Sequence, residues 1–186
     1  MNFANKISTF RILTVPFFIG SLLYYNNQRE YLRFVALLIF CLAVISDALD
    51  GYIARKAKQH SKAGLILDPL GDKLLLMSAF ICLSSEKFQP NFPLWIILIV
   101  ISRDALILLG TIVLYLVKQD INIQPTVWGK LTTAFQMSAV IALLLQWRHS
   151  SLFWLPAVVF TIISGIDYLI RGFKKIYALD NHRNNH

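Results

Sequence analysis

The chain has 186 residues, of which 56 % are hydrophobic and 15 % charged, and its formal net charge is +8. This apolar share exceeds that of an ordinary soluble domain, so the composition indicates an integral membrane protein. Both cysteines, Cys41 and Cys82, fall within apolar stretches and are expected to pack as small hydrophobic side chains, with no disulfide or zinc site.

The N-terminal residues are expected to form a short amphipathic helix. Phe3, Ile7 and Phe10 are spaced by four and three residues, a pattern typical of a helix that lies in the membrane interface before the first span. No small-residue cleavage site follows the first apolar stretch, so no cleavable signal peptide is expected.

Six apolar segments approach the length of about 20 residues that a helix needs to cross a bilayer. The sequence therefore predicts an all-α integral membrane protein with six transmembrane helices, in which residues 1–175 form one membrane domain. Residues 176–186 form a polar C-terminal tail that is expected to be disordered. The six segments are Phe10–Tyr25, Tyr31–Asp50, Leu70–Ser84, Phe92–Val117, Leu131–Trp147 and Leu152–Ile170.

Four aspartates stand where the second segment ends and the third begins, in a stretch from Asp47 to Asp72 that we call the aspartate motif. Asp47 and Asp50 are three residues apart, and Asp68 and Asp72 are four apart, so on helices each pair lies on one face. Two such pairs facing each other would gather carboxylate oxygens into one site, which one or two hard divalent cations would compensate. The alternatives are four solvated acidic residues in a loop, or a cation site with only a structural role.

Two glycines and an arginine accompany these carboxylates. Gly51 follows the first pair and Gly64 precedes the second, where a missing side chain lets a ligand approach the backbone closely. Arg55 is placed to hold a phosphate by charge-assisted hydrogen bonds. Pro69 suits the first turn of a helix, so the third helix is expected to begin at Asp68.

Arg103 and Asp104 lie in the middle of the fourth apolar segment, where ionisable residues normally face a cavity or a partner. One interpretation is a structural pair that locks neighbouring helices. The other is an arginine that lines a pocket for an acceptor substrate, with Asp104 orienting it.

The distribution of lysine and arginine predicts the topology. With a cytoplasmic N-terminus, thirteen of these residues fall on the inside, four fall outside, and Arg103 lies within a segment. Both termini and the aspartate motif are therefore expected on the cytoplasmic side, which in a bacterium is that of the inner membrane. We attribute the positive net charge to basic residues that are attracted to anionic headgroups of the lipid bilayer, and no nucleic-acid partner is expected.

The aspartate motif has the spacing D-x2-D-G-x2-A-R-x8-G-x3-D-x3-D, with eight fixed positions in 26 residues. It resembles the signature of the CDP-alcohol phosphotransferases, also called class I CDP-alcohol phosphatidyltransferases, which are integral-membrane enzymes of phospholipid synthesis. Two further stretches resemble the glycerophospholipid branch of that family. They are N-x3-T-x-R-x4-P, carried by Asn5, Thr9, Arg11 and Pro16, and the Gly-Lys-x-x-T run from Gly129 to Thr133.

The resemblance implies transfer of a phosphatidyl group from CDP-diacylglycerol to an alcohol acceptor with release of CMP. It implies Mg²⁺ or Mn²⁺, as two ions, as cofactor, and it is compatible with a homodimer. The implied metal ligands are Asp47, Asp50, Asp68 and Asp72, with Asp72 also acting as the general base. The implied donor-binding residues are Gly51, Ala54, Arg55, Gly64, Asn5 and Thr9, and the implied acceptor-binding residues are Arg103 and Lys130.

The acceptor itself has two candidates. The opening stretch and the Gly-Lys-x-x-T run resemble phosphatidylglycerophosphate synthases, whose acceptor is glycerol 3-phosphate. Bacterial synthases of that type often carry a second arginine eight residues after the equivalent of Arg103, and here that position is Thr111. The run from Ile101 to Gly110 also resembles the cardiolipin synthases of the same superfamily, whose acceptor is phosphatidylglycerol. A membrane scaffold or transporter with a structural cation site is the alternative from another functional class.

Overall fold

The computed structural model describes the backbone of residues 3–57, 64–118 and 126–183, and the side chains of residues 12–46, 73–110 and 126–172. Within these residues every regular element is an α-helix, as the composition and the apolar segments predict. The six helices are α1 (Phe3–Leu23), α2 (Tyr31–Ala57), α3 (Gly64–Cys82), α4 (Leu94–Lys118), α5 (Val127–Leu144) and α6 (Ser151–Arg183).

The helices extend beyond the apolar segments mainly at ends that carry polar residues. An apolar segment marks only the part of a helix suited to lipid, and the helix continues through polar residues outside it. Because Phe3–Leu23 is one unbroken helix, the separate interfacial helix predicted before the first span is not confirmed. Because α6 continues to Arg183, residues 176–183 are helical and do not form the disordered tail expected there.

The start of α3 differs from the prediction. The helix begins at Gly64, four residues before Asp68, so Pro69 is its sixth residue and does not lie in its first turn. The first four N–H groups of a helix have no partner within it, and Pro69 lies two residues beyond them, so it removes one backbone hydrogen bond near the helix start. Pro69 therefore correctly indicates that a helix starts nearby, but that helix begins about one turn earlier than predicted.

One compact unit contains α1, α2 and α3 together with Val140–Ser150. Within it α1 packs against both α2 and α3. Phe18 of α1 contacts Phe40 of α2 with ring centroids 5.9 Å apart, and Phe80 of α3 stacks on Phe92 at 4.5 Å. All four rings are buried. Such aromatic pairs fix the spacing between helices where lipid, as apolar as the side chains, provides little hydrophobic drive.

The same unit holds the end of α5. The N–H of Trp147 bonds to Ala142 O and the N–H of Gln146 bonds to Leu143 O, while Gln146 takes a φ of 51°. This is a Schellman ending with glutamine where glycine is usual. The Gln146 side chain donates to the Tyr25 hydroxyl at 3.0 Å, a contact that glycine would not make.

A second compact unit contains α4, α6 and the first part of α5, up to Ala139. Here α4 packs closely against α6. The Tyr168 hydroxyl donates to Ile107 O at 3.1 Å, and a Cβ on Gly110 would lie 2.8 Å from Tyr168 Cε1. Gly110 therefore permits this close approach because it has no side chain.

Polar side chains join α5 to α6 in the same unit. Thr132 Oγ1 lies 2.8 Å from Trp128 O in its own helix and 2.9 Å from Phe160 O in α6. One turn further on, Gln136 Nε2 donates to Thr161 Oγ1 at 3.0 Å. These hydrogen bonds fix the register of the two helices, because a slip would leave buried polar atoms without partners.

Two helical stretches in the described residues are long and apolar enough to cross a bilayer. They are Val127–Leu144 and Ser151–Gly172, with mean hydropathies of 1.3 and 1.8. Three shorter apolar stretches lie at Ile12–Leu23, Tyr31–Ser46 and Lys73–Cys82. These stretches suit a membrane protein, and the number of six transmembrane helices stays a prediction.

Candidate active site

The backbone places the aspartate motif on two helices. Asp47 and Asp50 lie in α2, while Asp68 and Asp72 lie in α3, so each pair has the helical spacing that puts its members on one face. Gly51, Ala54 and Arg55 also lie in α2, and Gly64 is the first residue of α3. The side chains of all these residues lie outside the described part of the chain, so their predicted roles stay predictions.

The donor set of the motif fits the implied metal. Four carboxylates on helical faces offer only oxygen atoms, which are the ligands that Mg²⁺ and Mn²⁺ prefer. Regular helices pass through both pairs, whereas a solvated loop would not require the i,i+3 and i,i+4 spacing.

The two remaining donor-site predictions, Asn5 and Thr9, lie in the first half of α1. Their side chains are also outside the described residues. The helix that carries them packs against both helices of the aspartate motif.

Arg103 is the best-described of the predicted site residues, and it lies in the α4–α6 unit. Its side chain is buried, with only 8 % of the residue exposed. Nη1 donates to Asp104 Oδ1 at 2.8 Å and Nη2 donates to Ser164 Oγ of α6 at 2.5 Å. Nε is buried and has no hydrogen-bond partner among the described residues. A buried N–H without an acceptor costs free energy, which an anionic ligand would recover.

Two glycines allow neighbouring helices to approach this guanidinium. A Cβ on Gly129 of α5 would lie 3.5 Å from Arg103 Nη2 and 3.3 Å from Thr126 Oγ1. A Cβ on Gly165 of α6 would lie 3.4 Å from Arg103 Cγ. The first turn of α5 and the middle of α6 therefore both contact Arg103. We call Arg103, Asp104, Gly129 and Ser164 the Arg103 cluster.

The Gly-Lys-x-x-T run lies in the first two turns of α5. Thr126 caps the helix, since its Oγ1 accepts the N–H of Gly129 at 3.0 Å, and the N–H of Lys130 bonds to Thr126 O at 3.2 Å. Lys130 is exposed. The N-terminus of a helix attracts anions, so Arg103, the start of α5 and Lys130 form an electropositive region within one unit.

The described contacts of Arg103 and Asp104 agree in part with each of the two interpretations. The two side chains form an ion pair with each other, and Asp104 is only 1 % exposed. Arg103 also bonds to a second helix, as a structural role requires. Its Nε has no hydrogen-bond partner among the described residues, which is what an acceptor-binding role would leave in the absence of a ligand.

Two residues of α6 that bear on this region escaped the sequence analysis. Ser164 is the partner of Arg103, and Asp167 has one buried side-chain oxygen without a hydrogen-bond partner among the described residues. Together with Thr161 they recur every third residue in an otherwise apolar segment. That spacing of polar residues in a span was the available signal.

A cleft of about 890 Å³ lies at the opposite end of α1 and α2 from the aspartate motif. It is lined mainly by polar side chains around Asn26 and Arg29, with Lys87 and Gln146. Asp50 is the nineteenth residue after Tyr31 in α2, which places it about 28 Å further along the helix axis. The cleft is therefore remote from the predicted catalytic residues.

Comparison with known proteins gives a consistent result. The family model for the CDP-alcohol phosphatidyltransferases matches residues 1–163. A CDP-diacylglycerol--glycerol-3-phosphate 3-phosphatidyltransferase of Bacillus subtilis is 30 % identical, covering 94 % of this chain and 97 % of that protein. Proteins of the same name from Haemophilus influenzae and Aquifex aeolicus are 32 % and 27 % identical, covering 86 % and 95 % of this chain and 83 % and 99 % of their own lengths.

Proposed function

Because this chain belongs to the CDP-alcohol phosphatidyltransferase family and is an enzyme of that type, we propose that it transfers the phosphatidyl group of CDP-diacylglycerol to glycerol 3-phosphate. The products are phosphatidylglycerophosphate and CMP. Relatives that cover nearly the whole chain carry the name of this activity, and the glycerol-type stretches of the sequence agree with it.

The observation that carries the acceptor assignment is the unpartnered Nε of Arg103. A buried guanidinium with two of its nitrogens bonded and the third unsatisfied is suited to one more anion. The phosphate of glycerol 3-phosphate fits this requirement, and the exposed Lys130 one residue beyond Gly129 adds a second positive charge. Asp104 and Ser164 orient the guanidinium and leave Nε for the acceptor.

In the proposed reaction an acceptor hydroxyl attacks the β-phosphorus of CDP-diacylglycerol. The bond between that oxygen and phosphorus forms, the bond from phosphorus to the CMP oxygen breaks, and Asp72 takes the hydroxyl proton. Asp47, Asp50, Asp68 and Asp72 would hold Mg²⁺ or Mn²⁺, which supplies positive charge against the pyrophosphate. Gly51, Ala54 and Gly64 leave room for the cytidine, Asn5 and Thr9 border it, and Arg55 holds the donor phosphates.

The location of the site follows from the charge count. The excess of lysine and arginine at one set of helix ends assigns both termini and the aspartate motif to the cytoplasmic side of the membrane, where the water-soluble acceptor is available.

The direct test offers two acceptors to the purified protein. Glycerol 3-phosphate and phosphatidylglycerol are supplied in detergent micelles with labelled CDP-diacylglycerol and Mg²⁺, and the lipid products are identified. We expect phosphatidylglycerophosphate from the first and no cardiolipin from the second. Cardiolipin from phosphatidylglycerol, with no turnover of glycerol 3-phosphate, would overturn the acceptor assignment and leave the family unchanged.

A further inference from the structure

Asp167 on α6 has one carboxylate oxygen that accepts a hydrogen bond and one that has no hydrogen-bond partner among the described residues. Its Oδ1 accepts a hydrogen bond from Arg171 Nε at 2.9 Å, across one turn of the helix. Its Oδ2 is buried and has no hydrogen-bond partner among the described residues. An oxygen of a charged carboxylate is a strong acceptor, and leaving it buried without a donor is costly.

Asp167 lies one turn of α6 beyond the residue that contacts Arg103. Asp167 is three residues from Ser164, so its side chain starts about 5–6 Å from that of Ser164, and Ser164 contacts Arg103 Nη2. Arg103 of α4 therefore presents a buried donor that lacks an acceptor beside a stretch of α6 in which Asp167 has a buried acceptor that lacks a donor. A ligand with an anionic group and a nearby hydroxyl would satisfy both.

Gln136 Oε1 is another buried acceptor without a hydrogen-bond partner in the described part of this unit, but it is not suited to bind a ligand. Gln136 is 0 % exposed, and its Nε2 is held by Thr161, whose hydroxyl in turn donates to Ala157 O. The Asp167 side chain is 23 % exposed, so it borders the surface of its unit even though its Oδ2 is buried, whereas Gln136 lies wholly inside. Asp167 also lies on the side of Ser164 away from Gln136, because Thr161 and Asp167 are on opposite sides of Ser164 along α6.

The charges of this turn are balanced for such a ligand. Arg171, which is 60 % exposed, offsets the charge of Asp167, and Arg103 is paired with Asp104. The phosphate of an acceptor is therefore not opposed by an uncompensated carboxylate at this position.

We infer that Asp167 is a specificity-determining residue whose Oδ2 accepts a hydrogen bond from the free hydroxyl of the acceptor while Arg103 holds the phosphate. This inference rests on the proposed function. Glycerol 3-phosphate has two hydroxyls, of which one attacks phosphorus, and the other is left to donate to Asp167. A site built to bond a hydroxyl discriminates strongly against the analogue that lacks it.

The first experiment needs no variant. Wild-type protein is given glycerol 3-phosphate or 3-hydroxypropyl phosphate, which keeps the phosphate and the primary hydroxyl and lacks the second hydroxyl. We expect kcat/KM to favour glycerol 3-phosphate by about tenfold or more, the value of a hydrogen bond to a charged group. Turnover of glycerol 3-phosphate with equal kcat/KM for the analogue would overturn this inference alone. Absence of turnover with glycerol 3-phosphate would overturn both the inference and the proposed function.

The second experiment assigns the discrimination to Asp167. In Asp167→Ala we expect the ratio of the two kcat/KM values to fall to less than about threefold, through loss with glycerol 3-phosphate only. The ratio is insensitive to partial unfolding, because both acceptors are measured in one preparation. Arg171→Ala is the matched control: it removes the partner of Oδ1 and is expected to keep the wild-type ratio. An equal loss with both acceptors in Asp167→Ala would indicate a purely structural carboxylate and overturn the inference.

Discussion

Replacing Arg103 with leucine separates the stability that this side chain provides from the acceptor binding proposed for it. Arg103→Leu leaves the Asp104 carboxylate, 1 % exposed, without the guanidinium that bonds to it at 2.8 Å. Breaking a buried ion pair by removing one partner costs about 3–5 kcal/mol. The variant also loses the charge-assisted contact to the acceptor phosphate, worth about 1.5–3 kcal/mol, or roughly tenfold to more than a hundredfold in acceptor KM.

The double variant Arg103→Leu/Asp104→Asn distinguishes the two effects. A neutral amide is cheaper to bury than a carboxylate that has lost its guanidinium, so most of the lost stability should return while the acceptor KM stays high. Stability is measured by unfolding in detergent micelles, and KM by phosphatidyl transfer to glycerol 3-phosphate. Arg148→Leu, which changes an exposed arginine, serves as the control and should shift stability by less than about 0.5 kcal/mol. Recovery of the wild-type KM in the double variant would refute the binding role of Arg103.

Three further predictions follow from other parts of the chain. Alanine at any one of the four aspartates of the motif should abolish transfer while the protein still folds, because the carboxylates act as a unit; wild-type turnover in two of the four would contradict this. Gly110→Ala should destabilise the protein by about 1–3 kcal/mol by displacing Tyr168, whereas Gly172→Ala, with open space around it, should be neutral or slightly stabilising; equal unfolding transitions would refute the close approach. Cysteine at position 87 should react with an impermeant reagent in intact cells and cysteine at position 58 should not; the reverse would invert the topology.

Much of the fold could be predicted because the length of an apolar segment and the helix propensity of its residues can be read from the local sequence. All six segments correspond to helices, and α2 continues past the second segment to Ala57. The helix ends were the weaker part. Pro69 is compatible with either of two neighbouring turns, and polar residues after Ile170 continue α6 although hydropathy marks the end of a span.

The candidate site could likewise be predicted only in part. The aspartate motif was found by spacing, since i,i+3 and i,i+4 carboxylates are visible in the sequence alone. Arg103 was found because a charge in an apolar segment is unusual. Ser164 and Asp167 were missed because their significance depends on packing between α4 and α6, some 60 residues apart in the chain; the spacing of polar residues in α6 marks a polar face but does not identify Arg103 as its partner.

The central claim, that this enzyme uses glycerol 3-phosphate as acceptor, is tested most directly by product stoichiometry. Purified protein is incubated with CDP-diacylglycerol, Mg²⁺ and glycerol 3-phosphate as the sole acceptor, and CMP and phosphatidylglycerophosphate are both quantified, with Asp72→Asn as the matched inactive variant. The account predicts that the two products appear in equal amounts, only when glycerol 3-phosphate is present, and not with the variant. Release of CMP without phosphatidylglycerophosphate, or equal transfer by Asp72→Asn, would contradict it.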